Sequence, residues 1–511
     1  MKVKLIIIAV LCFAFAVHAD TETPQSWRAD GERALEQVLA RKPNTQLTRN
    51  VILFVGDGMG ISTITAARIL AGQKQGGTGE EHRLSFEKLA YTALAKTYNT
   101  NQQTPDSAGT MTAMMTGVKT KAGFISVNQN ATRRNCTSQT GNELQTFLEE
   151  LEDRNYATGI ISTARITHAT PAATYAHSVE REWEGDNDMP LSAIKQGCRD
   201  IASQLLSFSH GDGVDVVMGG GRRYFLPDDV ADPEYPKKKG YRKDGRDLTR
   251  EWERQYRRDK FVWNKEQFDN IDLEKVSRLF ALFEPSHMQF EADRQNDGAG
   301  EPSLAEMTSK AIDILKQNEK GYFLMVEGGR IDHAHHYGNA HRALHDTVAF
   351  DEAVAIAIEK IDFENTLLIV TADHSHVFTM GGYPVRGNPI LGKVIENNNA
   401  GESKGTEALA IDGKPYTTLG YYNGDGHAVM DDIGKREKAT GAGEPGRADI
   451  SKIDTESSNY YQESLIPLID ETHGGEDVAI FADGPWAHLF RGVQEQNYIY
   501  YVMRHALKLR K

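Results

Sequence analysis

The chain has 511 residues, 39% of them hydrophobic, which is enough to bury a full core. Its 58 Lys and Arg stand against 72 Asp and Glu, for a formal charge of −14 and an isoelectric point near 5.7. Such a chain repels nucleic acid at long range and is excluded as a nucleic-acid binder, whereas a small phosphorylated ligand is not excluded, because local cations reverse the field inside one cleft.

The N-terminus reads as an export signal over residues 1–19. Lys2 and Lys4 form a short basic region, Leu5 to Phe15 an apolar run, and Val17-His18-Ala19 a cleavage site before Asp20. The run is too short to span a bilayer comfortably. No later stretch is apolar enough to do so, and Arg504 to Lys511 is too charged for a lipid-anchor tail. The expected mature chain, 20–511, is exported, secreted or periplasmic, with no membrane anchor. Cys12 leaves with the signal, so Cys136 and Cys198 remain, and an oxidising compartment points to one disulfide. Asn130-Ala131-Thr132 and Asn135-Cys136-Thr137 are glycosylation sequons, relevant only in a eukaryotic source.

Continuous apolar runs then alternate with helical patterns. Val51 to Val55 ends in Gly56-Asp57-Gly58 and reads as a core strand entering a tight turn. Ala157 to Ser162, Val214 to Met218, Tyr322 to Val326, Leu367 to Val370 and Val478 to Phe481 follow. Helical periodicity covers Ser303 to Gln317 and Ala340 to Ile361. Strands buried on both faces and separated by helices predict an α/β fold, a three-layer sandwich around a large, mostly parallel central sheet. Residues 381–461 are rich in Gly, Asn and charge and too long for a structureless loop, so an inserted subdomain is expected there.

Polar residues cluster at the ends of these strands. Asp57 follows the first, His168 and Thr170 the second, Glu327, Asp332 and His336 the fourth, Asp373 and His374 the fifth, and Glu471-Thr472-His473 precedes the last. In open α/β sheets the crevice beyond the carboxyl ends of the strands binds ligands, so residues distant in sequence meet there. Imidazoles and carboxylates suit zinc, and an all-oxygen shell suits magnesium. Asp332 and His336 are spaced i, i+4 and share one helix face. Singly, each is more often a helix cap or an ordinary surface or core residue; together they favour a metal site. With only 17 histidines in the chain, the clusters Asp332-His333-Ala334-His335-His336 and Asp373-His374-Ser375-His376 strengthen that reading.

Thr104-Pro105-Asp106-Ser107-Ala108-Gly109-Thr110 opens a small-residue helical pattern, which sets Ser107 at a helix N-terminus where amides and dipole favour a phosphate. Without the metal cluster, Asp106 or Ser107 reads as a simple N-cap. No Gly-x-Ser-x-Gly elbow surrounds the serine, so activation falls to a metal rather than to a triad.

The chain resembles the alkaline phosphatase family from about residue 26 to the C-terminus. The anchors are Val55-Gly56-Asp57-Gly58-Met59-Gly60, Pro105-Asp106-Ser107, Val326-Glu327-Gly328-Gly329-Arg330-Ile331-Asp332-His333, Thr371-Ala372-Asp373-His374-Ser375-His376 and Glu471-Thr472-His473-Gly474-Gly475-Glu476-Asp477. The resemblance implies phosphomonoester hydrolysis at alkaline pH through a phosphoserine on Ser107. It implies one zinc held by Asp332, His336 and His473, and another by Asp57, Asp373, His374 and the Ser107 oxygen. Magnesium would be held by Asp57, Thr170 and Glu327, with His168, His333 and His376 behind these ligands. Arg181 matches the family's phosphate-gripping arginine, whereas Arg165 has the wrong spacing from His168-Ala169-Thr170. His168 and His333 match the animal-type branch, where the enteric bacterial pattern has an acid and a lysine. That branch also implies a calcium site from Glu234, the Phe283 carbonyl, Glu284 and Glu301, and pairs Cys136 with Cys198. It implies a homodimer, with residues near 26–42 as an arm and 381–461 as an interface crown. Two other readings stay open at this point: a related metal phosphodiesterase on the same scaffold, and a non-catalytic metal or phosphate scavenger.

Overall fold

The computed structural model describes residues 22–257, 259–426 and 447–509. The expected leader at 1–19 and residues 427–446 of the expected insert lie outside the described residues. The described chain forms two units, divided at Pro43. In the first, Pro24–Ala40 is a helix capped reciprocally by Thr23 and Ser26.

The second unit is built on a ten-stranded sheet. In chain order the strands of this unit are β1 (Asn50–Gly56), β2 (Tyr91–Lys96), β3 (Ala157–Arg165), β4 (Val216–Gly220), β5 (Lys260–Val262), β6 (Leu279–Leu282), β7 (Tyr322–Gly328) and β8 (Thr366–Ala372). They continue with β9 (Ser375–His376), β10 (Phe378–Met380), β11 (Ile395–Asn397), β12 (Ser403–Glu407), β13 (Leu419–Gly424), β14 (Ser464–Pro467), β15 (His473–Gly474), β16 (Val478–Asp483) and β17 (Val493–Glu495). The large sheet runs β17-β2-β16-β8-β1-β7-β3-β4-β6-β5. β1 lies in parallel register between β7 and β8, Phe54 opposite Val326 and Val370. That central place explains its unbroken apolar run: helices cover both faces, and its side chains are buried from Val51 onward. Phe54 meets Phe350 of the Ala340–Lys360 helix edge to face at 5.6 Å, while Phe323 of β7 meets Phe147 at 5.1 Å. The helices Ile61–Lys74, Leu304–Leu315 and Ala340–Lys360 pack together, as do Ser107–Thr116, Ala169–Tyr175 and Tyr498–Ala506. The result is the three-layer α/β sandwich.

The apolar runs match β1, β3, β4, β7, β8 and β16. β16 is antiparallel to both its neighbours. The strands that no continuous run announces are β2, β5, β6 and β17. β2 is half exposed and alternating, β5 and β17 are three residues long, and β6 is only four. In the region of the expected insert, β11 and β12 form a hairpin and β13 is the middle strand of a small sheet. That sheet takes its outer strands, β10 and β14, from just beyond 381–461.

Candidate active site

The carboxyl ends of β1, β3, β7 and β8 deliver the expected polar residues to one place. Asp57 leaves β1 in a turn whose next residue, Gly58, has φ +68°; a Cβ there would lie 2.3 Å from the His376 ring, so only glycine permits the approach. Glu327 sits within β7, and Asp332 and His336 share a face of the Arg330–His336 helix. Asp373 and His374 follow β8 directly. His376 and His473 come side by side because β9 and β15 pair antiparallel with these two residues opposite each other.

Three groups of convergent donors result. The first joins Asp332, His336, His376 and His473. Asp332 Oδ1 lies 3.3 Å from His336 Nε2, 2.8 Å from His376 Nε2 and 3.4 Å from His473 Nε2. His376 has a carboxylate at each ring nitrogen, because its Nδ1 reaches Glu471 Oε2 at 2.5 Å. Burial alone would lower its pKa, but Glu471 and Asp332 raise it to about 10. It therefore donates twice and supports Asp332 from behind. The second group is Asp57, Asp373 and His374, with Ser107 Oγ 3.1 Å from His374 Nε2. Gly58 N and His374 N both donate to Asp373 Oδ1, leaving Oδ2 facing inward. The third is Asp57, His168 and Glu327, so His168 enters the group itself. Thr170 Oγ1 and Glu327 Oε1 are buried there without hydrogen-bond partners.

Such a set fits divalent cations. Both Asp57 oxygens are buried and receive no hydrogen bond, and burial with Asp332, Asp373 and Glu327 nearby drives its pKa well up. Glu327 is pushed up to about 7, first by burial. The carboxylates are crowded beyond what the protein's own cations neutralise.

Ser107 is the first residue of the Ser107–Thr116 helix, and Asp106 is its cap, accepting from Gly109 N at 3.1 Å. The serine hydroxyl is thus free of the capping role. Arg181 Nη1 donates to Asp106 Oδ2 at 3.3 Å and Nη2 lies 3.1 Å from His168 Nε2. Arg165 instead forks onto Glu184 at 2.7 and 2.6 Å, away from the serine. His333 packs between His168 and His287 with tilted rings, the centroids at 5.4 and 3.9 Å. His335 bonds Thr63 Oγ1 and the Tyr421 hydroxyl and ligates nothing. His287, isolated in sequence, carried no signal, and Glu471, noted beside His473, was given no role. A cavity of about 530 Å³ opens over Pro105, His336, Tyr337 and His473.

The expected calcium ligands are only partly together. Glu234 and Glu284 converge, but Asp297 and not Glu301 completes their group. Burial and mutual repulsion push Glu234 up to about 8 and Glu284 to about 7. Glu301 Oε1 accepts from Gln289 N at 2.9 Å, while its Oε2 is buried without a partner and burial with Glu284 and Asp297 drives its pKa well up; the Phe283 carbonyl accepts from Arg222 at 3.0 Å. The segment before Glu301 turns through Arg294–Asn296 and reaches Asp297 first. Cys136 and Cys198 form a disulfide.

Sheet, donor groups and cavity together define a metal-assisted hydrolase. The alkaline phosphatase family profile matches residues 48–509. The tissue-nonspecific alkaline phosphatase of Gallus gallus is 44% identical over 98% of this chain and 93% of its own. The Homo sapiens tissue-nonspecific isozyme is 46% identical over 94% of this chain and 88% of its own. The solved alkaline phosphatase of Thermus thermophilus has a TM-score of 0.62 at 23% identity, covering 93% of this chain and 94% of that one. The enzyme of the Antarctic bacterium TAB5 has 0.59 at 21%, covering 91% and 100%. At those identities the two structures speak for the fold alone. The chain belongs to the alkaline phosphatase family and hydrolyses phosphate monoesters.

Proposed function

We propose that Ser107 is the nucleophile of this reaction and that the three donor groups bind two zinc ions and one magnesium ion. Zinc is assigned to Asp332, His336 and His473, and to Asp57, Asp373, His374 and the Ser107 oxygen. Magnesium is assigned to Asp57, Thr170 and Glu327, with His168 at its side. When bound, these ions supply Lewis acidity that lowers the serine hydroxyl's pKa and stabilises the oxygens entering and leaving phosphorus. Ser107 Oγ attacks phosphorus in line, the alcohol departs, and water then releases phosphate from the phosphoserine. Arg181 grips the non-bridging oxygens, held in place by Asp106, and the dipole of the Ser107–Thr116 helix favours the anion.

The observation that carries this reading is a buried serine hydroxyl with no capping role, 3.1 Å from His374 Nε2. Ser107→Ala is expected to abolish nearly all phosphate release from an aryl phosphate while the protein still binds metal; retained activity overturns the assignment.

The all-oxygen group Glu234, Glu284 and Asp297 is assigned to calcium. A homodimer is supported by exposed Trp27, Val38 and Leu39 on the N-terminal helix and by Leu465 and Ile469 near β14. Export is supported by the disulfide. Among the described residues no helix is long and apolar enough to cross a membrane.

A further inference from the structure

Glu471 has no part in the reaction just described, yet each of its polar atoms bonds His336, His376 or the residue that follows His376. The residue is buried, 1% exposed. Oε2 accepts from His376 Nδ1 at 2.5 Å, and His376 Nε2 donates to Asp332 at 2.8 Å. Oε1 accepts from Val377 N at 2.8 Å, which fixes the strand that carries His376. The backbone of Glu471 clasps His336: its N–H donates to the His336 carbonyl at 3.0 Å, and its carbonyl accepts from His336 Nδ1 at 2.7 Å. Two residues on is His473.

Strand β13 holds this residue in turn. Asn423 bonds Thr472 reciprocally, its amide reaching Thr472 Oγ1 at 3.0 Å and its carbonyl oxygen accepting Thr472 N at 3.0 Å. A Cβ on Gly424 would come within 3.3 Å of Glu471 Cβ. Tyr421, on the same strand, bonds His335 at 2.8 Å, and His335 stacks on His376 at 4.8 Å.

From these contacts we infer that Glu471 is a positioning residue that sets Asp332, His336 and His473 in metal-binding register, and that β13 braces the group through it. Groups behind a ligand fix its tautomer and direction, and their loss weakens metal binding about 10- to 100-fold. This inference rests on the reading that an ion binds at Asp332, His336 and His473.

The test follows zinc per chain and activity while purified holoenzyme is dialysed against a chelator. Glu471→Gln keeps the shape but offers one acceptor oxygen where the carboxylate meets two donors, His376 Nδ1–H and Val377 N–H. It is expected to release one ion about tenfold or more faster than wild type, the others leaving at wild-type rates. After complete chelation it is expected to melt like chelated wild type. Asn423→Ala, which removes only the clamp on Thr472, is expected to shift the same ion in the same direction by less, and it replaces Glu471→Gln should that variant not fold. Unchanged release rates overturn the inference. So does a variant whose ions leave together or whose chelated form melts below wild type, since Glu471 is then a fold-stabilising residue. Wild-type protein that holds no zinc, or stays active after complete chelation, removes the underlying metal reading instead.

Discussion

His336 Nε2 and His473 Nε2 face each other at 3.1 Å. Each ring has its Nδ1 proton committed to a backbone carbonyl, His336 to Glu471 and His473 to Pro105. A carbonyl only accepts, so each Nδ1 carries a proton and each ring turns its Nε2 toward Asp332 Oδ1, at 3.3 and 3.4 Å.

Chelation of the holoenzyme should therefore remove activity and lower the melting temperature together, with both restored by zinc and magnesium. His473→Ala should reduce kcat/KM by about a hundredfold or more, because the remaining donors no longer enclose the ion. Activity that survives exhaustive chelation refutes this.

The two arginines should separate cleanly. Arg181→Ala should raise KM and the inhibition constant for phosphate by roughly 10- to 100-fold, since charge-assisted hydrogen bonds are worth about 1.5–3 kcal/mol each. Arg165→Ala should leave phosphate affinity unchanged and destabilise the fold by about 3–5 kcal/mol, because it strands buried Glu184 without its partner. Denaturant titration alongside steady-state kinetics reads both.

The disulfide closes a separation of 62 residues beside a small core of Phe124, Val179 and Trp183. Cys198→Ser should cost about 2–4 kcal/mol of stability and leave kcat in place. A melting temperature insensitive to reductant would contradict it.

Far from the donor groups, Glu152 lies buried beside Asp215, with the Thr158 hydroxyl donating to it. Burial, then Asp215, pushes it up to about 9. An unfolded chain ionises this group near its ordinary 4.5, while the folded protein keeps it protonated. The folded state then binds the extra proton, so stability declines as pH rises from about 4.5 to about 9. Glu152→Gln should melt above wild type at pH near 9 and match it near pH 4.5, as differential scanning calorimetry across that range would show. A difference that does not grow with pH defeats the expectation.

How much was legible depended on how local the cause was. β1, β7 and β8 were readable because strands buried on both faces must be apolar throughout, and Asp57, Glu327 and Asp373 were readable because they stand at the ends of those runs. Asp332 and His336 were paired by helical spacing alone. β2 and β17 were not readable, since half-exposed or three-residue strands leave no period to detect.

The sequence by itself determined the residue types, their order after the strands, the family and the two cysteines. Only the tertiary structure decided which groups converge. It made Asp106 the helix cap and so left Ser107 Oγ at the site, turned Arg165 onto Glu184, drew Asp297 to Glu234 and Glu284, and put Glu471 behind His376. These outcomes rest on contacts between residues 19 positions apart for Arg165 and Glu184, 95 for Glu471 and His376, and 267 for Ser107 and His374. Such contacts follow from sheet order and loop path, neither of which a local pattern encodes.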